Sequence, residues 1–151
     1  MAIRNIVKIG DETLRKRSFE VTDFGEKTHQ LIDDMKETLI KAEGAGLAAP
    51  QVGVLRRIFL VLVDGKYYEC VNPELVSASG TQRGLEGCLS VPNKQGVVDR
   101  PYKVEFKAQD RYGNPFKVKV SGFTARAFCH EFDHLNGTLY VDKALSVEDD
   151  K

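Results

Sequence analysis

The 151-residue sequence contains no tryptophan, two methionines and five prolines. Neither sign of charge dominates: 22 Lys and Arg balance 22 Asp and Glu, for a formal net charge of 0. That balance argues against a broad nucleic-acid footprint or an anionic-membrane patch. No apolar run approaches the ~18–20 residues of a membrane span. The start, Met1-Ala2-Ile3-Arg4-Asn5, lacks the long apolar core of a signal peptide. Three cysteines is an odd number. Without a secretory signal, Cys70, Cys88 and Cys129 read as reduced thiols of a cytoplasmic protein. Repeats, low-complexity tracts and Gly/Ser or Pro linkers are missing too, so residues 1–151 are expected to form one domain. A chain of this length buries about 68–70% of its unfolded surface and needs no disulfide staples. Hydrophobic residues at 42% and charged residues at 29% exclude disorder, collagen and coiled coil.

What is there is a mixture of helical and strand patterns. The first twenty residues mix short apolar runs with charge and are expected to wrap the surface. From about Glu26 to Glu43, Leu31, Ile32, Met35, Leu39 and Ala42 recur at helical spacing, which predicts an amphipathic helix packed on the core. Gly44 stands where a helix end favours a left-handed residue. Arg57–Val63 and Tyr67–Val71 read as strands joined by the turn Asp64-Gly65-Lys66. Tyr102–Ala108 and Phe116–Val120 alternate apolar with polar residues around a turn-rich Asp110–Pro115, a second hairpin. A second helix is predicted from about Gly122 to Asn136, with Phe123, Ala127 and Phe128 inward and Gly137 as its stop. Hairpins without βαβ alternation predict an α+β fold: antiparallel β-sheets packed around a C-terminal helix, with an N-terminal amphipathic helix.

The strongest chemical signal is His130-Glu131-Phe132-Asp133-His134. On a helix, positions i and i+4 share a face about 5–6 Å apart, so His130 and His134 can point two imidazoles at one metal ion. Glu131 lies about 100° around the axis, where it can reach a metal-bound water rather than the metal. Two surface or capped histidines remain the plainer reading of this pattern alone. A catalytic site needs a third ligand and an open position. Cys88 is the better candidate, in Leu85-Glu86-Gly87-Cys88-Leu89-Ser90, with Gly84 and Gly87 to let backbone come close. His29 reads as a solvated surface residue. Cys70, in a strand, and Cys129, turned about 100° from His130, read as small buried hydrophobes.

The third element is Gly44-Ala45-Gly46-Leu47-Ala48-Ala49-Pro50-Gln51. Its small residues let a ligand's backbone lie close, and Gln51 offers an amide N–H to an oxygen. A structural turn is the alternative, since a lone Gly-x-Gly lacks the spacing of a phosphate loop.

Together these segments resemble the peptide deformylase family. Gly44 to Gln51 matches its Gly-φ-Gly-φ-Ala-Ala-x-Gln motif. Glu86 to Ser90 matches Glu-Gly-Cys-φ-Ser, and His130 to Gly137 matches His-Glu-x-Asp-His with a following glycine. Weaker similarity covers most of the chain, including Leu14-Arg15, Val71-Asn72-Pro73 and Val98-Asp99-Arg100-Pro101. The resemblance implies a metal-dependent hydrolase that removes the N-formyl group from the N-terminal formyl-methionine of newly made polypeptides and releases formate. A metal-bound water would attack, with Glu131 as general acid/base. Cys88, His130 and His134 would hold one divalent ion: Fe(II) in bacterial members, with Zn(II), Ni(II) or Co(II) as replacements. Gln51 and the Leu89 backbone N–H would form the oxyanion hole. Gly44, Ala45 and Gly46 would present a backbone edge to the substrate. Phe123, Arg126 and Ala127, with Leu89 and His130, would line the methionine pocket.

The comparison further implies an ion pair between Glu86 and Arg100 that braces the Gly87-Cys88 segment, with Asp133 in a supporting role. Partners would be N-formylmethionyl peptides and nascent chains, with at most a weak, transient ribosome contact, no membrane and no direct nucleic-acid role. Three departures stand out. Arg126 replaces a common aliphatic residue, and its stem is expected to cover the pocket wall while its charge reaches water. Gln95 stands where many members have Arg. The tail Glu148-Asp149-Asp150-Lys151 is acidic and lacks the longer helix with which many bacterial relatives dock at the ribosome. Two competing readings keep the same residues: a generic HExxH metallopeptidase, which leaves Cys88 and Gln51 without roles, and a non-catalytic metal-binding module, which has no need of Glu131.

Overall fold

The structure, a computed structural model, describes residues 2–149. The N-terminal residues run over the surface, as their composition predicts. They form one 3-10 turn, Glu12–Arg15, whose Asp11 cap accepts from the Thr13 N–H. This strap is tied along its length, among others by Ala2 N–H to Asp34, Arg4 N–H to Thr38 Oγ1, Val7 N–H to the Gln51 carbonyl and Ile9 N–H to the Ser90 carbonyl. Helix α1, Glu26–Ala42, buries Leu31, Ile32, Met35 and Leu39, as its spacing requires. It ends one residue earlier than expected. Glu43, with φ 56°, takes the left-handed position and its N–H caps the Ile40 carbonyl, so Gly44 is left for another purpose.

Five antiparallel strands make the larger sheet. They are β1 (Gly46–Ala48), β2 (Ile58–Val63), β3 (Lys66–Ser79), β6 (Lys103–Gln109) and β7 (Pro115–Ser121), in the order β1-β2-β3-β6-β7. The β2–β3 turn is the predicted one. Asp64 and Gly65 both have positive φ, 51° and 77°, as a two-residue hairpin demands. β3 outruns the expected Tyr67–Val71, and its register on β6 slips after Val71 and again after Leu75.

A second, three-stranded sheet joins β4 (Gln82–Cys88), β5 (Val91–Arg100) and β8 (Ser146–Asp149) in the order β4-β5-β8. Alternation is faint here because Gly84, Gly87 and Gly96 interrupt it. Helix α2, Gly122–Leu135, reaches both sheets. Its apolar side packs on the larger one, where Phe128 meets Phe59 edge-on with ring centroids 5.4 Å apart and Phe106 at 5.6 Å. Gly137 stops α2 with φ 77°, and any Cβ there would stand 2.5 Å from the Arg15 carbonyl oxygen. One expectation for α2 fails: Phe123 is 56% exposed rather than inward, because the first turn of the helix lies at the sheet's rim.

Candidate metal centre

α2 carries His130 and His134 on one face, and the end of β4 brings Cys88 up to them. The ligand atoms of the three residues lie within 4.8 Å of one another. Cys88 Sγ and His134 Nε2 are 3.4 Å apart, near the roughly 3.5 Å edge of a tetrahedron around an ion with bonds of about 2.0–2.3 Å. His130 spends its Nδ1 on Glu86 at 2.9 Å, which leaves Nε2 for a metal. One sulfur and two imidazole nitrogens, on largely buried side chains, suit a divalent transition ion. Burial works against a charged His130, but Glu131, Cys88 and Glu86 around it favour a proton, which a metal ion on Nε2 would displace. His134 is held neutral by burial.

Beneath His130 lies a charge network. Glu86 Oε1 accepts from Arg100 Nη2 and His130 Nδ1, both at 2.9 Å. Its Oε2 accepts from Arg100 Nε and Arg126 Nη1, both at 2.8 Å. The expected Glu86–Arg100 pair is therefore present, but it is an interior pair: each side chain is 3% exposed. Burial alone would raise the Glu86 carboxyl. Hydrogen bonds from Arg100 and His130, with their charges, hold it well below the usual carboxylate range. Asp133 accepts from Arg100 Nη1 at 2.7 Å and pairs with Lys143, so it extends the network toward the surface.

Glu131 is 4% exposed, and its Oε1 has no hydrogen-bond partner. Burial is the main reason its carboxyl rises to about 7. Its other oxygen lies flat against β1: a Cβ on Gly46 would stand 2.6 Å from Glu131 Oε2. This is what the second glycine of the Gly-Ala-Gly segment provides. Gln51 sits in the 3-10 turn Ala49–Val52 that follows β1. Its Oε1 accepts from the Ala48 N–H at 2.9 Å, which aims Nε2 at Cys88 Sγ (3.5 Å) and Ser90 Oγ (3.1 Å). Leu89 lies in the tight turn between Cys88 and Val91, which are paired across it. Its side chain rests over Gly44, where a Cβ would come within 3.0 Å of it.

These residues surround a cavity of about 310 Å³. Gly44, Ala45, Gly46, Gln51, Cys88 and Leu89 line one side, and Phe123, Arg126, Ala127, His130 and Glu131 the other. Every residue expected at the site is thus brought to it or directly behind it. Arg126 departs from expectation. Its charge does not reach water: the residue is 5% exposed and its guanidinium binds Glu86 and the Val98 carbonyl. The space comes from Gly84, where a Cβ would stand 3.0 Å from Arg126 Nη2. Gly87 has room for a side chain, its nearest neighbour being the Lys94 carbonyl at 3.7 Å. Gln95 faces Glu148 of β8 rather than the cavity.

The remaining soft ligands stand apart. Cys70 is fully buried in β3, and Cys129 lies in the aromatic core with its thiol pushed up to about 11 by burial. His29 is half-buried rather than solvated, bonding the Arg111 carbonyl at 2.9 Å and meeting the Tyr112 ring edge-on.

An α+β chain with a Cys-His-His cluster and a buried carboxylate with an unpartnered oxygen in the wall of a cavity has the make-up of a metal-dependent hydrolase. Comparison with known proteins narrows the class. Residues 3–150 match the family described as polypeptide deformylase. The peptide deformylase of Caldicellulosiruptor bescii is 52% identical over 145 residues, 96% of this chain and 87% of that protein. That of Lachnoclostridium phytofermentans is 51% identical, over 95% of this chain and 90% of its own. The crystal structure of the peptide deformylase from Thermotoga maritima superposes with a TM-score of 0.94 at 37% identity, covering 97% of this chain and all of that one. The Legionella pneumophila structure gives 0.93 at 45% identity, covering 96% and 87%. The chain belongs to the polypeptide deformylase family, whose members are hydrolases.

Proposed function

We propose that this chain removes the formyl group from the N-terminal formyl-methionine of new polypeptides, with Glu131 as the proton carrier. The observation that carries the reading is the Cys88-His130-His134 cluster beside the unpartnered Oε1 of buried Glu131. Held by those three ligands, a divalent ion supplies Lewis acidity and brings the pKa of a water molecule toward about 7. Glu131 takes a proton as water attacks the formyl carbon, then delivers it to the departing amine. Gln51 Nε2 and the Leu89 N–H donate to the formyl oxygen as charge gathers there; one such donor is typically worth about 2.7–4 kcal/mol of barrier. β1 is an edge strand of its sheet, so the substrate backbone can add alongside Gly44, Ala45 and Gly46. Phe123, Ala127 and the stem of Arg126 offer the methionine side chain its apolar wall.

The ion in the cell is Fe(II), on the strength of the likeness to bacterial members, and Zn(II), Ni(II) or Co(II) fit the same sulfur and nitrogen donors. Any ribosome contact is weak and transient, since a formal net charge of 0 offers no broad attraction to RNA. Cytoplasm is the compartment in which formylated nascent chains and three free thiols coexist. No helix among the described residues is long and apolar enough to cross a membrane. The test is formate release from formyl-Met-Ala-Ser by the Fe(II)-loaded protein under argon. Turnover is expected. Cleavage of internal peptide bonds without formate release would return the chain to the generic metallopeptidase reading.

A further inference from the structure

Arg126 and His130 are one helical turn apart on α2, and both point at the same carboxylate. Arg126 Nη1 binds Glu86 Oε2 at 2.8 Å, and His130 Nδ1 binds Glu86 Oε1 at 2.9 Å. Glu86 is thereby attached to consecutive turns of the helix at two points, one per oxygen. Arg100 grips the same two oxygens from β5. Arg100 reaches α2 only through Asp133, whereas Arg126 adds a direct contact from the helix to the same carboxylate. Arg126 is itself fixed, since Nη1 also donates to the Val98 carbonyl on β5 at 3.1 Å. The guanidinium lies close over Gly84 of β4: a Cβ there would meet Arg126 Nη2 at 3.0 Å and Cζ at 3.3 Å, so the head would have to shift. Glycine at 84 and arginine at 126 form a matched pair.

We propose that Arg126 is a positioning residue for the metal centre: by clamping Glu86 Oε2 to α2, it holds Oε1 against His130 and fixes the direction in which that imidazole presents Nε2. The inference rests on the metal-site reading above and adds to it a residue that touches neither metal nor reacting atoms. Its effect passes along Arg126, Glu86 and His130. Loss of a direct outer partner such as Glu86 commonly weakens metal binding by about 10–100-fold, and Arg126, one contact further out, is expected at the low end of that range.

The test uses the full chain loaded with Co(II) without oxygen. Absorption reports the thiolate-to-cobalt and ligand-field bands, and transfer of Co(II) to a competing chelator reports affinity. Arg126→Met keeps the apolar stem and removes the clamp. It is expected to weaken Co(II) binding about tenfold and to shift the ligand-field bands, while the urea midpoint shows a folded protein. Arg126→Lys, which can reach Glu86 with one nitrogen, should recover part of the loss. Gly84→Ala leaves Arg126 in place but displaces its head, and should move affinity and spectrum the same way by less. It also decides the question if Arg126→Met fails to fold. Co(II) affinity within twofold of the parent and unchanged bands in the folded variants would overturn the proposal and leave Arg126 a brace between helix and sheet. A Cys88→Ala control separates the two readings: if it keeps the thiolate band, the metal-centre assignment itself is wrong.

Discussion

α2 has two sides built on opposite principles. Toward the five-stranded sheet, Ala125, Phe128 and Leu135 meet Phe59 and Phe106 in an apolar, aromatic cluster. Toward the three-stranded sheet, Arg126 and His130 meet Glu86 and Arg100 in a network that leaves neither Glu86 oxygen unpaired. The apolar side is held by area and close packing, which are non-directional and forgive substitutions of equal volume. The charged side is held by a few directed bonds in a place with little water. There, removing one partner exposes the others to the full cost of buried, unpaired charge. The helix is thus anchored by one side and aimed by the other.

Breaking the charged side should show the larger combined effect, because it lowers stability and metal affinity together. Glu86→Gln leaves Arg100 and Arg126 facing each other without their shared anion, and is expected to cost about 3–5 kcal/mol and much of the metal affinity. The loss should depend on pH. The folded-state pKa of Glu86 is depressed, so its stabilisation is complete above its ordinary value near 4.5 and fades as pH falls below that. Urea unfolding of parent and variant should show a constant gap from pH 8 to 6 that narrows toward pH 3. A gap independent of pH would mean the carboxylate charge is not what holds the network.

Breaking the apolar side comes next. Phe128→Ala removes a fully buried ring from between Phe59, Phe106 and Tyr68 and should cost about 3–5 kcal/mol. Phe128→Leu, closer in volume, should cost far less. Both Phe128 variants should keep one metal ion per folded chain, checked by metal analysis alongside unfolding curves. The smallest effect on stability belongs to Gly46→Ala. Its methyl group would stand 2.6 Å from Glu131 Oε2, so the carboxylate must move. Formate release is expected to fall about ten- to a hundredfold with little change in the urea midpoint.

The two sides of α2 also differ in how far the sequence discloses them. The apolar face is written in local spacing, and so are His130, Glu131 and His134, which sit within five residues on one helix. Cys88 and Gln51 were legible as motif residues, and the β2–β3 and β6–β7 hairpins as alternating runs around turn residues. The β4–β5–β8 sheet was not, because three glycines blur its period and β8 finds its partner about fifty residues away. Arg126 reads locally as an amphipathic stem with its head in water. Its true direction depends on Glu86, 40 residues earlier, and on a vacancy at Gly84 that no local pattern announces. Gly44 reads locally as a helix stop, yet Glu43 takes that conformation, and the glycine lies where Leu89 crosses it.

The central claim is a division of labour: Cys88, His130 and His134 hold the ion, and Glu131 moves the proton. Metal content and formate release measured on the same Fe(II)-loaded preparation of Glu131→Gln test it most directly. The account predicts one ion per chain, as in the parent, with turnover lower by at least about a hundredfold. Loss of the metal, or turnover near that of the parent, would contradict it.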